Sequence, residues 1–111
     1  SSVTGVQTFP NLGAYGVTKA ALRHMARVLA LELGPAGITV NGVAPTFVYT
    51  EMIQHVMDNP EFKQQLLERI PLGRIADPKD VVGAVLFFCS PASDFITGQI
   101  LYVDGGITAS Q

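Results

Sequence analysis

The longest regular pattern in the chain covers residues 14 to about 34. There Val17, Ala21, Met25, Val28, Leu29 and Leu33 recur with helical period, and Gly34-Pro35 supplies a stop. One long helix is expected. Ahead of it, residues 1–5 read as the end of a strand entering a loop punctuated by Pro10 and Gly13. Behind it, residues 38–43 read as a buried strand ended by Pro45. An apolar strand following a helix predicts a parallel βαβ arrangement with a right-handed crossover. Residues 50 to about 69 mix charged and polar positions with scattered Met, Ile, Phe and Leu and are interrupted at Asn59-Pro60, which fits two short helices forming a flap. Asp77-Pro78-Lys79-Asp80 is a helix start, with Asp77 as N-cap and Pro78 at the first helical position. The helix runs through the apolar residues 81–88 and stops at Ser90 and Pro91. A last strand is expected at Ile100–Val103, followed by a turn at Asp104-Gly105-Gly106 built for positive backbone angles. No internal repeat, linker or low-complexity tract interrupts this order.

Composition narrows the picture. The chain has 111 residues, of which 48% are hydrophobic and only 14% charged, a core-rich balance. Such a chain belongs to a larger sheet or buries much of its surface against partner subunits, since two or three strands with an open face are marginal alone. A net charge of −2, with no basic run, leaves no electrostatic footprint for nucleic acid or an anionic membrane. The apolar stretches fall well short of the roughly 20 residues a membrane span needs, so a cytoplasmic protein is expected. Cys89, the single cysteine, is read as a small buried hydrophobe. His24 and His55 are read as surface or packing residues, and no metal-ligand set is visible.

Candidate chemistry begins with Tyr15 and Lys19, four residues apart at the start of the long helix. Residues i and i+4 share a helix face, so a phenol and an ammonium meet there, and a cation favours phenolate over phenol. Tyr15 could then exchange a proton with a bound carbonyl or alcohol oxygen, with Ser2, from the preceding segment, hydrogen-bonding the same oxygen. A second reading of the pair stands beside this one: a half-buried aromatic next to a lysine that snorkels over it. Asn41 reads as a strand-end amide tying loops together, and Pro45 as a plain strand terminator.

The segments Ser-Ser-Val-Thr-Gly, Ala-Tyr-Gly-Val-Thr-Lys-Ala-Ala, Ile-Thr-Val-Asn-Gly-Val-Ala-Pro and Tyr-Val-Asp-Gly-Gly follow one another in order. Together they resemble the short-chain dehydrogenase/reductase family, from Ser1 to about Gly106. The resemblance implies an α/β fold: the C-terminal part of a doubly wound Rossmann-type parallel sheet with flanking helices. Residues 1–111 would be the catalytic and substrate-binding portion of a single domain whose N-terminal dinucleotide-binding half, with its glycine-rich loop and the asparagine of the family's catalytic group, is not in this sequence. It further implies NAD or NADP as cofactor and Ser2, Tyr15 and Lys19 as catalytic residues, with Tyr15 as acid/base and Lys19 also bonding the nicotinamide ribose. Backbone contacts to the cofactor fall to Pro45, Thr46 and Val48, and a hydroxyl contact to Thr50. Where the family most often has glycine after the proline, Thr46 stands here, a departure that bears on the shape of the pocket.

The implied reaction interconverts an alcohol and a carbonyl by hydride transfer on a small-molecule substrate, in a homotetramer or homodimer built partly on the long helix. By analogy with family members the substrate is a sugar, sugar acid or polyol. Reduction of a 3-oxoacyl thioester is the nearest alternative within the family. A non-catalytic oligomerisation module is the alternative from another class, with the apolar helix and residues 81–103 burying themselves against copies of the same chain.

Overall fold

The computed structural model describes residues 1–7 and 10–110. Helix α1 (Gly13–Leu33) is the predicted long helix, and a 3₁₀ turn at Gly34–Ala36 ends it. Strand β1 (Gly42–Pro45) follows. The short helices α2 (Glu51–Met57) and α3 (Pro60–Glu68) form the expected flap, then come helix α4 (Pro78–Phe88) and strand β2 (Ile100–Val103). Asn59 caps α3 by accepting hydrogen bonds from the Glu61 and Phe62 amides, with Pro60 in the first turn, so the Asn-Pro pair restarts the helix. Asp77 and Pro78 open α4 in the predicted roles. β1 and β2 pair in parallel, with Gly42 opposite Ile100 and Pro45 opposite Val103.

Two expected strands are corrected. Residues 1–5 do not end a strand: Val3–Gly5 is a 3₁₀ turn, because the Ser2 side chain accepts from the Thr4 amide and caps it. Strand-like pairing is confined to Ser1, whose nitrogen donates to the Val43 carbonyl at 2.9 Å. Nor does β1 start at Ile38. Ile38 donates back to the Leu33 carbonyl at 3.3 Å, and Val40 bonds to the segment entering β2, donating to Thr97 Oγ1 at 2.9 Å and accepting from the Gly98 amide at 2.7 Å. Asn41 bridges the same two segments, donating to the Ile96 carbonyl at 2.8 Å and accepting from the Gln99 amide at 3.0 Å. This is the loop-tying amide expected of it.

The core sits at the carboxyl ends of the strands, where Val3, Met57, Leu66, Ile70 and Ile107 cluster, with Phe47, Ile53, Ile75 and Tyr102 packed against them. Each large side chain buried this way contributes about 1.5–3 kcal/mol, so the flap is held down mainly by Met57, Leu66 and Ile70. The long helix contributes less than its periodicity promised. Its buried residues are Ala26 and Ala30, whereas Val17 is 70% and Met25 50% exposed. The helix can press only one side against two strands, and the side that touches carries alanines because the Gly98 loop approaches closely. Cys89 is likewise exposed rather than buried, since α4 buries none of its residues. His24 and His55 lie at the surface.

Candidate active site

The Val3–Gly5 turn rests directly on α1, and two glycines permit it. A Cβ on Gly16 would lie 3.1 Å from the Thr4 carbonyl, and one on Gly5 would lie 3.1 Å from the Lys19 carbonyl carbon. Gly16 weakens the helix by roughly 1 kcal/mol relative to alanine; in exchange the serine segment comes within reach of the tyrosine face. Arg23 fastens the same approach, donating from Nη1 to the Gly5 carbonyl at 3.2 Å. Its guanidinium carbon stands 5.7 Å from the Tyr102 ring centre, close enough for a cation–π contact.

This packing creates a pocket of about 250 Å³ lined by the hydroxyl-bearing residues Ser2, Thr4, Tyr15 and Thr46. Its remaining walls are apolar, made by Val3, Leu12, Phe47 and Ile53. Lys19 lies one turn further along α1, with Nζ 5.2 Å from the Tyr15 ring centre. Lys19 is half-buried as a residue, and its ammonium makes no hydrogen bond or ion pair among the described residues. The helix therefore sets the cation beside the ring, as the i, i+4 spacing predicts.

Of the expected cofactor-binding residues, Tyr15 and Thr46 line this pocket, and of the loop residues Pro45, Thr46, Val48 and Thr50 only Thr46 does. Pro45 is the last residue of β1, and Val48 forms a parallel bridge with Ala76. Thr50 is the exposed N-cap of α2, and its hydroxyl makes no capping bond. The loop that carries them is clamped by Tyr49 donating to the Ala76 carbonyl at 2.8 Å and Ala76 donating to the Phe47 carbonyl at 3.1 Å. Ala76 is held in turn by its neighbours. Arg74 forks onto Asp80 at 2.7 and 3.0 Å, and the same carboxylate accepts from the Asp77 amide at 2.8 Å. The Arg74 hydrogen bond and then that amide hold the Asp80 carboxyl down to about 2, so the clamp stays charged through mild acid.

Sequence reasoning did not single out Thr4, Leu12 or Ile53. Thr4 had a local signal, a hydroxyl two residues after a capping serine. Leu12 and Ile53 had none, because only the folding of the flap onto the serine turn makes them walls. A larger cleft of about 520 Å³ lies between α1 and the segment entering β2, lined by Arg23, His24 and Arg27. It holds none of the hydroxyl groups that could exchange a proton with a carbonyl, so its size does not make it the site.

A family model described as Enoyl-(Acyl carrier protein) reductase matches residues 1–108. An oxidoreductase of the short chain dehydrogenase/reductase family from Burkholderia thailandensis superposes with a TM-score of 0.88 at 41% identity, over 98% of this chain and 42% of that one. The chain belongs to the short-chain dehydrogenase/reductase family. Its parallel strands and flanking helices are accordingly part of a Rossmann-type α/β fold, and the family is one of oxidoreductases. Another member, a gluconate 5-dehydrogenase from Burkholderia cenocepacia in complex with NADP and tartrate, superposes with a TM-score of 0.92 at 36% identity, over 97% of this chain and 42% of that one. Among curated relatives, a tropinone reductase homolog from Arabidopsis thaliana is 44% identical over 110 residues, which are 99% of this chain and 36% of the relative. The chain thus spans well under half the length of these relatives. Among the described residues no helix is long and apolar enough to cross a membrane, and no group of three or more His, Cys, Asp and Glu could hold a metal.

Proposed function

We propose that this chain carries the catalytic portion of an NAD(P)-dependent dehydrogenase/reductase that interconverts an alcohol and a carbonyl. The observation behind the proposal is the convergence of Ser2, Tyr15 and Thr46 on one pocket with the Lys19 ammonium beside the Tyr15 ring. Tyr15 gives a proton to the carbonyl oxygen in reduction and takes it back in oxidation. Ser2 holds that oxygen and stabilises the charge developing on it. Lys19, whose ammonium stands over the Tyr15 ring and makes no hydrogen bond or ion pair among the described residues, is free to meet ribose hydroxyls.

The residues fit a nicotinamide nucleotide. Thr46, Val48 and Thr50 lie beyond the carboxyl end of β1, where open α/β sheets bind ligands, and the Thr50 hydroxyl is unspent. When bound, the nicotinamide supplies or accepts the hydride. NADP in the gluconate 5-dehydrogenase supports a cofactor of this class. In this reading residues 1–111 are one part of a single Rossmann-type domain whose glycine-rich half lies elsewhere in the protein. The exposed apolar surface of α1, with Val17, Met25 and Leu31, supports a homodimer or homotetramer. Cytoplasmic residence belongs to the same proposal.

Two substrate classes divide the support. A sugar, sugar acid or polyol is favoured by the resemblance to gluconate 5-dehydrogenase. A compact apolar ketone is favoured by the pocket itself, where Val3, Leu12, Phe47 and Ile53 would face a sugar acid's hydroxyls and carboxylate without pairing them. The test is nicotinamide absorbance on the full-length protein with a ketogluconate, an alicyclic ketone and an acetoacetyl thioester, each with wild type and Tyr15→Phe. Turnover should fall at least 10²-fold in the variant, the lower range for removing a general acid–base group. Unchanged turnover in Tyr15→Phe would refute the acid/base role, and thioester preference would move the assignment to 3-oxoacyl reduction.

A further inference from the structure

Ser2 is the one hydroxyl in the pocket whose hydrogen-bonding state is almost fully accounted for. Its Oγ accepts from the Thr4 amide at 3.3 Å and from Thr4 Oγ1 at 3.0 Å. A hydroxyl has two acceptor lone pairs and one proton; the Thr4 amide fills one acceptor position, and with Thr4 Oγ1 donating into the other, the proton is what Ser2 has left to offer. Thr4 is half-buried, lines the same pocket, and reaches Ser2 because the Val3–Gly5 turn brings residue i+2 back over its own cap. We propose that Thr4 is a positioning residue that makes Ser2 an obligate hydrogen-bond donor to the substrate oxygen. The proposal rests on the reading of Ser2 as the group that meets that oxygen.

The consequence is directional. With its lone pairs occupied, Ser2 favours a carbonyl or developing alkoxide, which accepts, over an alcohol presented as a donor, and its proton is aimed before substrate arrives. Without the Thr4 hydroxyl, one lone pair is free and the Ser2 proton can rotate toward other acceptors. Preorganisation is then lost while the pocket keeps its shape.

The test is a double-mutant cycle in the full-length enzyme, with ketone reduction as readout and Ser2→Ala, Thr4→Val and the double variant compared. Ser2→Ala should lower kcat by roughly 10²–10³-fold, the range for removing one oxyanion donor. Thr4→Val should lower kcat about tenfold, the equivalent of one misdirected hydrogen bond. It should leave the cofactor KM unchanged, and Thr4→Ser should restore near wild-type turnover. In the Ser2→Ala background, Thr4→Val should have no further effect. An equal loss in both backgrounds would show that Thr4 acts independently of Ser2 and overturn the proposal, as would a fully active Thr4→Val. Should valine prevent folding, Thr4→Ala in the same cycle decides between the same outcomes. If Ser2→Ala itself is fully active, the reading of Ser2 fails first, and that result is distinct from an additive cycle.

Discussion

Replacing Gly105 by alanine tests how the turn after β2 holds the flap over the pocket. Gly105 has φ of 60°, in the left-handed region, which costs an L-residue about 1–2 kcal/mol. A Cβ there would also stand 2.7 Å from Cγ2 of Ile70 and 3.7 Å from Cβ of Leu72. Ile70 is 3% exposed and packed in the core cluster, so it must shift against its neighbours, and overpacking of this kind costs about 1–3 kcal/mol. The two terms together predict a loss of roughly 2–5 kcal/mol. Gly37→Ala is the matched control, with φ of 75° and nothing within 4 Å of a new Cβ. It bears the backbone term alone, about 1–2 kcal/mol, and changes the unfolded chain in the same way. Urea unfolding of the full-length protein, followed by circular dichroism, should therefore place Gly105→Ala about 1–3 kcal/mol below Gly37→Ala. Because Phe47 and Ile53 pack on the same cluster and wall the pocket, Gly105→Ala should also raise the substrate KM, and Gly37→Ala should not. Equal destabilisation by the two would refute the steric argument.

Other perturbations follow from individual hydrogen bonds. Burial pushes the Asp104 carboxyl up, but hydrogen bonds from the Thr108 hydroxyl and the Gly106 and Thr108 amides hold it below its ordinary value. Its stabilisation is thus complete above the ordinary carboxylate pKa and lost as pH falls through the lower folded value; Asp104→Asn should flatten that acid limb in unfolding curves taken across pH. Asn41→Ala leaves the Ile96 carbonyl and Gln99 amide without their bridge and should cost about 1–3 kcal/mol, read by thermal unfolding. Arg74→Ala removes the two-point grip on Asp80 and should raise the cofactor KM through the Ala76–Val48 bridge, with Arg74→Lys only partly restoring it because a single ammonium cannot reproduce the fork.

The amino-acid sequence by itself determined the long helix from its period, the starts of α3 and α4 from Asn59-Pro60 and Asp77-Pro78, and the last strand from its apolar run. It also determined that Tyr15 and Lys19 share a helix face, because a spacing of four residues is a local property of the helix. Tertiary structure decided the rest. Val40 and Asn41 lost their strand to side-chain and loop bonds with residues 96–99, partners more than 50 positions away. The apolar stripe of α1 stayed exposed while Ala26 and Ala30 were buried, since which face of an apolar helix meets the sheet depends on what packs there, not on its period. Leu12, Phe47 and Ile53 became walls of one pocket only when the flap settled on Ile70 and Ile107. Local pattern reports what a segment can form; the company it keeps across the chain is set by which surfaces can be buried together.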